Sequence, residues 1–156
     1  MILKFKNLAN YLEGKWISNQ TIYNLQDKKT YSNKFITEVP SLNSLNYNNL
    51  KNIACITKNQ NKYTIYQYFF PCSLNKKQGF INKTENKKIK HYIYFFKNKV
   101  LKITNFINSV KYIEYIYFIN QNFKLSLGVI KIYNKYRVIC FTSDIKFSIN
   151  KTNSID

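Results

Sequence analysis

Glu13-Gly14-Lys15-Trp16-Ile17-Ser18 is the stretch that decides how this chain is read. A short apolar-periodic segment, Phe5 to Leu12, leads into it, and a β-like run from Trp16 to Leu25 follows. The glycine lets the backbone turn tightly from a brief helix into a first strand. The indole two residues later is then placed to plug one end of a small barrel. The chain has a single Trp and only three Gly, and one of each lies two residues apart; Gly-x-Trp is common by chance, so the barrel reading rests on the rest of the chain.

Working outward, period-two patterns dominate. Tyr31, Phe35 and Val39 alternate with Ser32, Lys34 and Glu38. A helix-like interlude follows, with Leu42, Leu45, Leu50 and Ile53 at rough helical spacing. Strand-like runs resume at Lys62–Phe70, Gly79–Thr84, Lys90–Phe96, Val100–Ile107, Lys111–Ile119, Asn122–Tyr133 and Lys135–Phe147. They are rich in Tyr, Ile, Phe and Val, which suit a pleated, half-buried surface. Connectors such as Lys97-Asn98-Lys99 and Asn120-Gln121 are short enough for hairpins. A long antiparallel meander removes its exposed edges by closing on itself. The expected fold is therefore all-β: an antiparallel, lipocalin-like (calycin) barrel of roughly eight or more strands, preceded by a short N-terminal helix. One domain is expected over residues 1–150, with 151–156 as a frayed polar tail. A barrel of this size holds one small ligand in its mouth.

Lys plus Arg number 25 against seven acids, giving a formal charge of +18, and Arg137 is the one arginine. The abundant residues (Tyr, Phe, Asn, Ile, Lys) have A/T-rich codons and the scarce ones G/C-rich codons. That pattern points to an AT-rich genome, such as a plastid or a reduced parasite or symbiont. The lysines are spread along the chain rather than gathered in a stripe, as nucleic-acid readers gather theirs. A solvated basic surface and a preference for an acidic partner both remain open. No run is long and apolar enough for a transmembrane helix, and the N-terminus lacks a signal-peptide core, so a soluble protein is expected. Cys55, Cys72 and Cys140 show no paired spacing and read as free thiols; with His91 as the one histidine, no metal site is expected.

Polar residues on strand faces are the clue to function. Glu114 shares a face with Tyr112, Ile116 and Phe118; Asn122, Lys124, Ser126 and Gly128 share one face of the next run. Cys140, Thr142, Asp144 and Lys146 share a face of the last. Three neighbouring strands thus offer carboxylates, ammonium groups and hydroxyls on adjacent patches. They make either an ordinary cross-strand ion pair on the outer surface or a polar site inside the barrel.

The order Gly14-Lys15-Trp16-x-Ser18-x-x-Thr21, then Glu114-x-x-x-Phe118-x-x-x-Asn122-x-Lys124-Leu125, then Phe141-x-Ser143-Asp144-Ile145-Lys146, resembles the S-type (CpcS/CpeS) bilin lyases. The match covers both ends of the chain, about half of it, and the middle only loosely. The resemblance implies the same barrel and a lyase that joins a phycobilin to a cysteine of a phycobiliprotein subunit through a thioether. The bilin is bound as substrate, with no cofactor. Glu114 and Lys124 fall on the family's functional glutamate and on the first arginine of its Asn-Leu-Arg-Leu-Arg-like run, and are the expected catalytic pair. Trp16, Ser18, Gln20, Tyr23, Asn122, Ser126, Asp144 and Lys146 are the expected bilin-binding residues.

Two departures stand out. Ser126 replaces the second arginine, and Gln20 and Tyr23 stand where relatives often carry Arg and His. Lysine in place of arginine donates from a single point and cannot clamp a carboxylate bidentately. The resemblance also implies a phycobilin and a phycobiliprotein subunit as partners, with a homodimer or a partner lyase subunit possible, and no nucleic acid or membrane. With the codon signature, it places the protein in the plastid (chloroplast) stroma. A non-catalytic bilin carrier of the same fold is the alternative, and an RNA-binding barrel built on lysines and stacked tyrosines is a third reading.

Overall fold

The computed structural model describes residues 3–40, 52–60, 62–70 and 77–147. Helix α1 (Leu3–Leu12) is followed by strands β1 (Gly14–Asn24), β2 (Lys29–Val39), β3 (Asn52–Asn59), β4 (Lys62–Phe69) and β5 (Gln78–Glu85). The chain continues through β6 (Lys88–Lys97), β7 (Val100–Ile107), β8 (Val110–Phe118), β9 (Phe123–Ile132) and β10 (Lys135–Phe147). Each strand pairs antiparallel with the next, and β10 returns to pair with β1, closing a ten-stranded up-and-down barrel. The expected all-β barrel with its short helix is what forms.

One strand differs from the sequence reading. Ile53, assigned to a helix-like interlude, lies in β3, which pairs with β4 from Asn52–Phe69 to Asn59–Lys62. Leu42, Leu45 and Leu50 lie outside the described residues, as do Pro71, Cys72 and the tail. The strand was hidden because two of its cavity-facing positions carry Cys55 and Thr57. Without large β-branched or aromatic side chains there, its alternation is faint.

With three glycines in the chain, the tight hairpins are made by asparagine and its neighbours. Asn86-Lys87, Asn98-Lys99 and Tyr133-Asn134 all have positive φ at both central positions. They join directly opposed pairs: Glu85–Lys88, Lys97–Val100 and Ile132–Lys135. Paired left-handed residues are the signature of the type I′ turn, whose twist matches that of the strands it joins. Asparagine adopts this conformation at lower cost than other non-glycine residues.

The helix closes one end of the barrel. Leu8, Ala9 and Leu12 are fully or almost fully buried with Leu101 and Phe118, and Tyr11 stacks on Phe118 at 5.0 Å. Gly14 turns the chain into β1 with φ +111°, a conformation that L side chains rarely adopt. Trp16 is completely buried beneath the helix, and its indole N–H donates to the Leu12 carbonyl at 2.9 Å. The bond satisfies one of the carbonyls that a helix leaves unpaired at its C-terminus. The opposite end of the barrel, ringed by the β1–β2, β3–β4, β5–β6, β7–β8 and β9–β10 connections, forms the mouth.

Gly79 on β5 has a different purpose. It faces Tyr94 across the β5–β6 pair, and Tyr94 reaches over it to donate to the Phe69 carbonyl at 3.1 Å. A Cβ at position 79 would collide with both that carbonyl oxygen and the phenol ring. Gly79→Ala is expected to lower stability by about 3 kcal/mol. Urea unfolding followed by circular dichroism measures it, and a change well under 1 kcal/mol would show that Tyr94 can move aside at little cost.

Candidate functional site

The registers of β1, β10, β9 and β8 stack the inward residues in rows. Nearest the helix, Trp16 faces Lys146. The next row is Ser18, Asp144, Lys124 and Phe118, and above it run Gln20, Thr142, Ser126, Ile116 and Leu101. The fourth row is Ile22, Cys140, Gly128, Glu114, Ile103 and Tyr94. The polar face of β9 therefore points inward. Its other face, with Leu125, Leu127 and Val129, points outward, and Leu127 and Phe141 are neighbours on the outer wall. This decides between the two sequence readings: the carboxylates and the ammonium group belong to the interior.

These rows bound a cavity of about 340 Å³, within the range of small-molecule sites. Gln20, Glu114, Lys124, Ser126, Thr142 and Asp144 supply much of its polar lining. Tyr66, Tyr68 and Tyr92 on β4 and β6, with Tyr112 beside Glu114 on β8, add a wall of aromatic rings in which Tyr92 meets Tyr112 edge-on at 5.8 Å. A second hollow of similar size adjoins it toward the mouth and shares Gln20, Phe35, Thr57, Tyr66, Lys83 and Tyr112 with it.

Glu114 is the centre of the electrostatics. Burial raises its pKa above the ordinary carboxylate value. Hydrogen bonds from Tyr112 and Ser126 oppose that rise, Asp144 adds to it, and Lys124 works against it. The Tyr112 hydroxyl donates to Glu114 Oε2 at 2.7 Å. Burial, reinforced by the nearby Glu114 charge and hydrogen bond, in turn keeps Tyr112 protonated. Asp144 accepts from the Ser18 hydroxyl. Gln20 is positioned by donating to Thr142 Oγ1 at 3.4 Å and accepting from Asn33 Nδ2 at 3.3 Å. Lys124 Nζ lies 4.3 Å from the centre of the Trp16 ring, and Lys146 Nζ 4.7 Å from it. Cys55 also lines the cavity, where burial pushes its thiol up to about 12 despite the opposing Lys124 charge.

The structure gathers most of the expected site residues and separates two. Gln20, Glu114, Lys124, Ser126 and Asp144 line the cavity, while Trp16 and Ser18 are fully buried in the rows next to the helix and Lys146 lies against the Trp16 ring. Tyr23 is a correction. It alternates with inward Ile22, so it points outward and is 36% exposed. Asn122 is the second: it sits in the exposed β8–β9 connection, its backbone N–H bonded to Asn120 Oδ1 and its carbonyl to the Lys146 N–H. Sequence reasoning missed Tyr66, Tyr68, Tyr92, Lys83 and Lys90. The parity of β4, β5 and β6 carries that information, but only once the register is known. Among the described residues, no three His, Cys, Asp or Glu side chains gather into a metal site.

No family model matches the chain. A chromophore lyase CpcS/CpeS homolog from Gracilaria tenuistipitata var. liui is 27% identical over 158 residues, covering 92% of this chain and 98% of that one. The S-type phycobiliprotein lyase CpeS from Guillardia theta superposes with a TM-score of 0.62 over 92% of this chain and 93% of its own, at 9% identity. This chain is similar in sequence to a CpcS/CpeS chromophore lyase homolog along nearly its whole length, and it shares the fold of a CpeS lyase. The fold is shared more widely. A protein of unknown function from Nostoc punctiforme reaches the same TM-score at 8% identity over 89% of this chain and 49% of its own.

Proposed function

We propose that this chain is a phycobiliprotein bilin lyase. It holds an open-chain tetrapyrrole in the barrel while a cysteine of a phycobiliprotein subunit adds to it. The observation that carries the reading is the tyrosine-walled cavity with Glu114 and Asp144 in its wall, in a chain similar in sequence to a chromophore lyase homolog along nearly its whole length. The tyrosine rings offer flat faces for a conjugated ligand. Glu114 and Asp144 accept hydrogen bonds from pyrrole N–H groups, and a carboxylate there favours the protonated, more electrophilic bilin. Lys124, held against the indole, limits the negative charge of the two acids.

The thiol comes from the acceptor. Its sulfur bonds to the ethylidene carbon of ring A, the ethylidene double bond is consumed, and the proton ends on the adjacent ring carbon, so no atom is lost. The lyase supplies the bilin's orientation and protonation. Among the described residues, Cys55 and Cys140 are poor nucleophiles because burial raises the pKa of both, leaving little thiolate. The codon signature supports a plastid as the working compartment.

Co-expression with a bilin-producing pathway and β-type phycobiliprotein subunits, read by zinc-enhanced fluorescence on a denaturing gel, tests this. A fluorescent acceptor band is expected, with none at the mass of this chain. Bilin bound to the native protein without a tagged acceptor would favour the carrier reading, for which uncharged Ser126 in the cavity wall speaks. Absence of bilin binding would refute both.

A further inference from the structure

We propose that Lys83 and Lys90 form a carboxylate-binding pair at the mouth of the barrel that takes the propionates of the bound tetrapyrrole. The inference rests on the bilin reading above.

Lys83 on β5 and Lys90 on β6 are directly opposed in register, and both line the cavity. Like charges in directly opposed positions destabilise a strand pair unless something lies between them. Little in the protein does. Lys83 shares Glu85 at 3.6 Å, with both side chains partly exposed, and overlies the Tyr66 ring at 5.6 Å. Such an exposed pairing is weak and easily exchanged. Lys90 makes no ion pair with any described residue; the two ion pairs among them are Lys83–Glu85 and Lys15–Glu38.

The cavity is therefore polarised along its length. Its acids, Glu114 and Asp144, lie toward the helix end, where Lys124 is already engaged by the Trp16 ring and buried beside them. At the rim lie Lys90, which no described acid pairs, and Lys83, which shares Glu85. On β6, Tyr94 is level with Glu114 through Ile103, and Lys90 is four residues nearer the mouth. That is about 13 Å along the strand, and the Glu and Lys side chains reach into the space from either end. Tyr92, with Ile81 and Tyr68 in its row, faces the cavity between these levels, and Tyr66 stands level with the two lysines. A tetrapyrrole has hydrogen-bond donors on its nitrogen edge and carboxylates on the opposite edge. It fits this gradient in one sense only, nitrogens toward the floor and propionates toward solvent. The charge that the wall lacks at Ser126 is thus restored at the rim.

The test compares binding of phycocyanobilin and its dimethyl ester, by absorbance titration of the full chain. The wild type is expected to bind the free acid about tenfold or more tightly than the ester. Lys83→Gln/Lys90→Gln is expected to bind both within about twofold of each other, with the ester affinity of the wild type. Unchanged ester affinity shows that the variant's cavity is intact. Lys111→Gln, which removes one positive charge from the outer wall, is expected to leave the discrimination alone. A double variant that still prefers the acid, or a wild type that does not distinguish the two, would overturn the rim pair while the bilin reading stands. A wild type that binds neither form would remove both.

Discussion

Glu114→Gln is expected to produce a protein that is more stable than the wild type at neutral and alkaline pH and nearly inactive in chromophore transfer. The two effects share one cause. Burial in the cavity wall raises the Glu114 pKa above its unfolded value, so ionising the group costs the folded state free energy. That cost is absent at pH values below the ordinary carboxylate range, where the group is protonated in both states. It develops as pH rises past the unfolded pKa and is complete above the folded one. Glutamine keeps the volume and still accepts the Tyr112 hydroxyl's hydrogen bond, now made to Oε2 at 2.7 Å, but it never carries the charge. The variant's Tm should exceed that of the wild type at pH 8, and the difference should close by about pH 4. Transfer to an acceptor subunit should fall by on the order of 100-fold or more, the usual scale for loss of a group that holds or moves a proton at the reacting ligand. A pH-independent difference in Tm would mean that Glu114 is not destabilised by ionisation. Transfer at the wild-type rate would take the carboxylate out of the reaction.

Trp16→Ala should cause the largest loss of stability of any single substitution at the floor. Trp16 is the largest of the fully buried side chains, and truncations of this kind cost about 3–5 kcal/mol. Two further losses accompany the cavity. The Leu12 carbonyl loses its 2.9 Å bond from the indole. Lys124 and Lys146 lose the ring that both their ammonium groups lie against, a contact worth about 1–2 kcal/mol when partly desolvated. Trp16→Phe keeps a ring face and loses the N–H bond, so it should cost less than half as much as Trp16→Ala. Chemical unfolding followed by far-ultraviolet circular dichroism separates the two, since the chain's one tryptophan is removed in both. The functional effect should exceed what instability explains: with Lys124 held beside Asp144 by a smaller, weaker ring, Trp16→Phe should already bind bilin more weakly. A Trp16→Ala protein within about 1 kcal/mol of the wild type would show that Tyr11 stacked on Phe118 holds the helix alone.

The chain's reading shows where local chemistry is sufficient and where it is not. Nine of the ten strands were legible because each is a run of β-branched and aromatic residues bounded by turn residues. Gly14 and Trp16 marked the helix-to-strand turn and the plug, since no other residue pair in the chain meets both demands. Strand β3 escaped because Cys55 and Thr57 occupy cavity-facing positions and weaken its pattern. Glu114, Lys124 and Asp144 were legible as a set sharing faces on neighbouring strands.

Sequence alone determined that the chain alternates, that it turns where asparagine replaces glycine, and that its rare acids fall on particular faces. It could not determine which face is the interior. On β9 the more apolar face is outside and Lys124 and Ser126 are inside, the reverse of what a dry core would select, because the barrel encloses a polar, solvent-reachable cavity. Only closure of β10 onto β1 fixes that choice for every strand at once. Closure also sends Tyr23 outward, against its expected role, and brings Lys83 and Lys90, seven residues apart in a hairpin, to one rim facing the acids of strands β8 and β10. The reason is geometric: alternation sets parity within a strand, whereas the register between strands sets depth along the barrel, and depth is what separates Glu114 and Asp144 from Lys83 and Lys90.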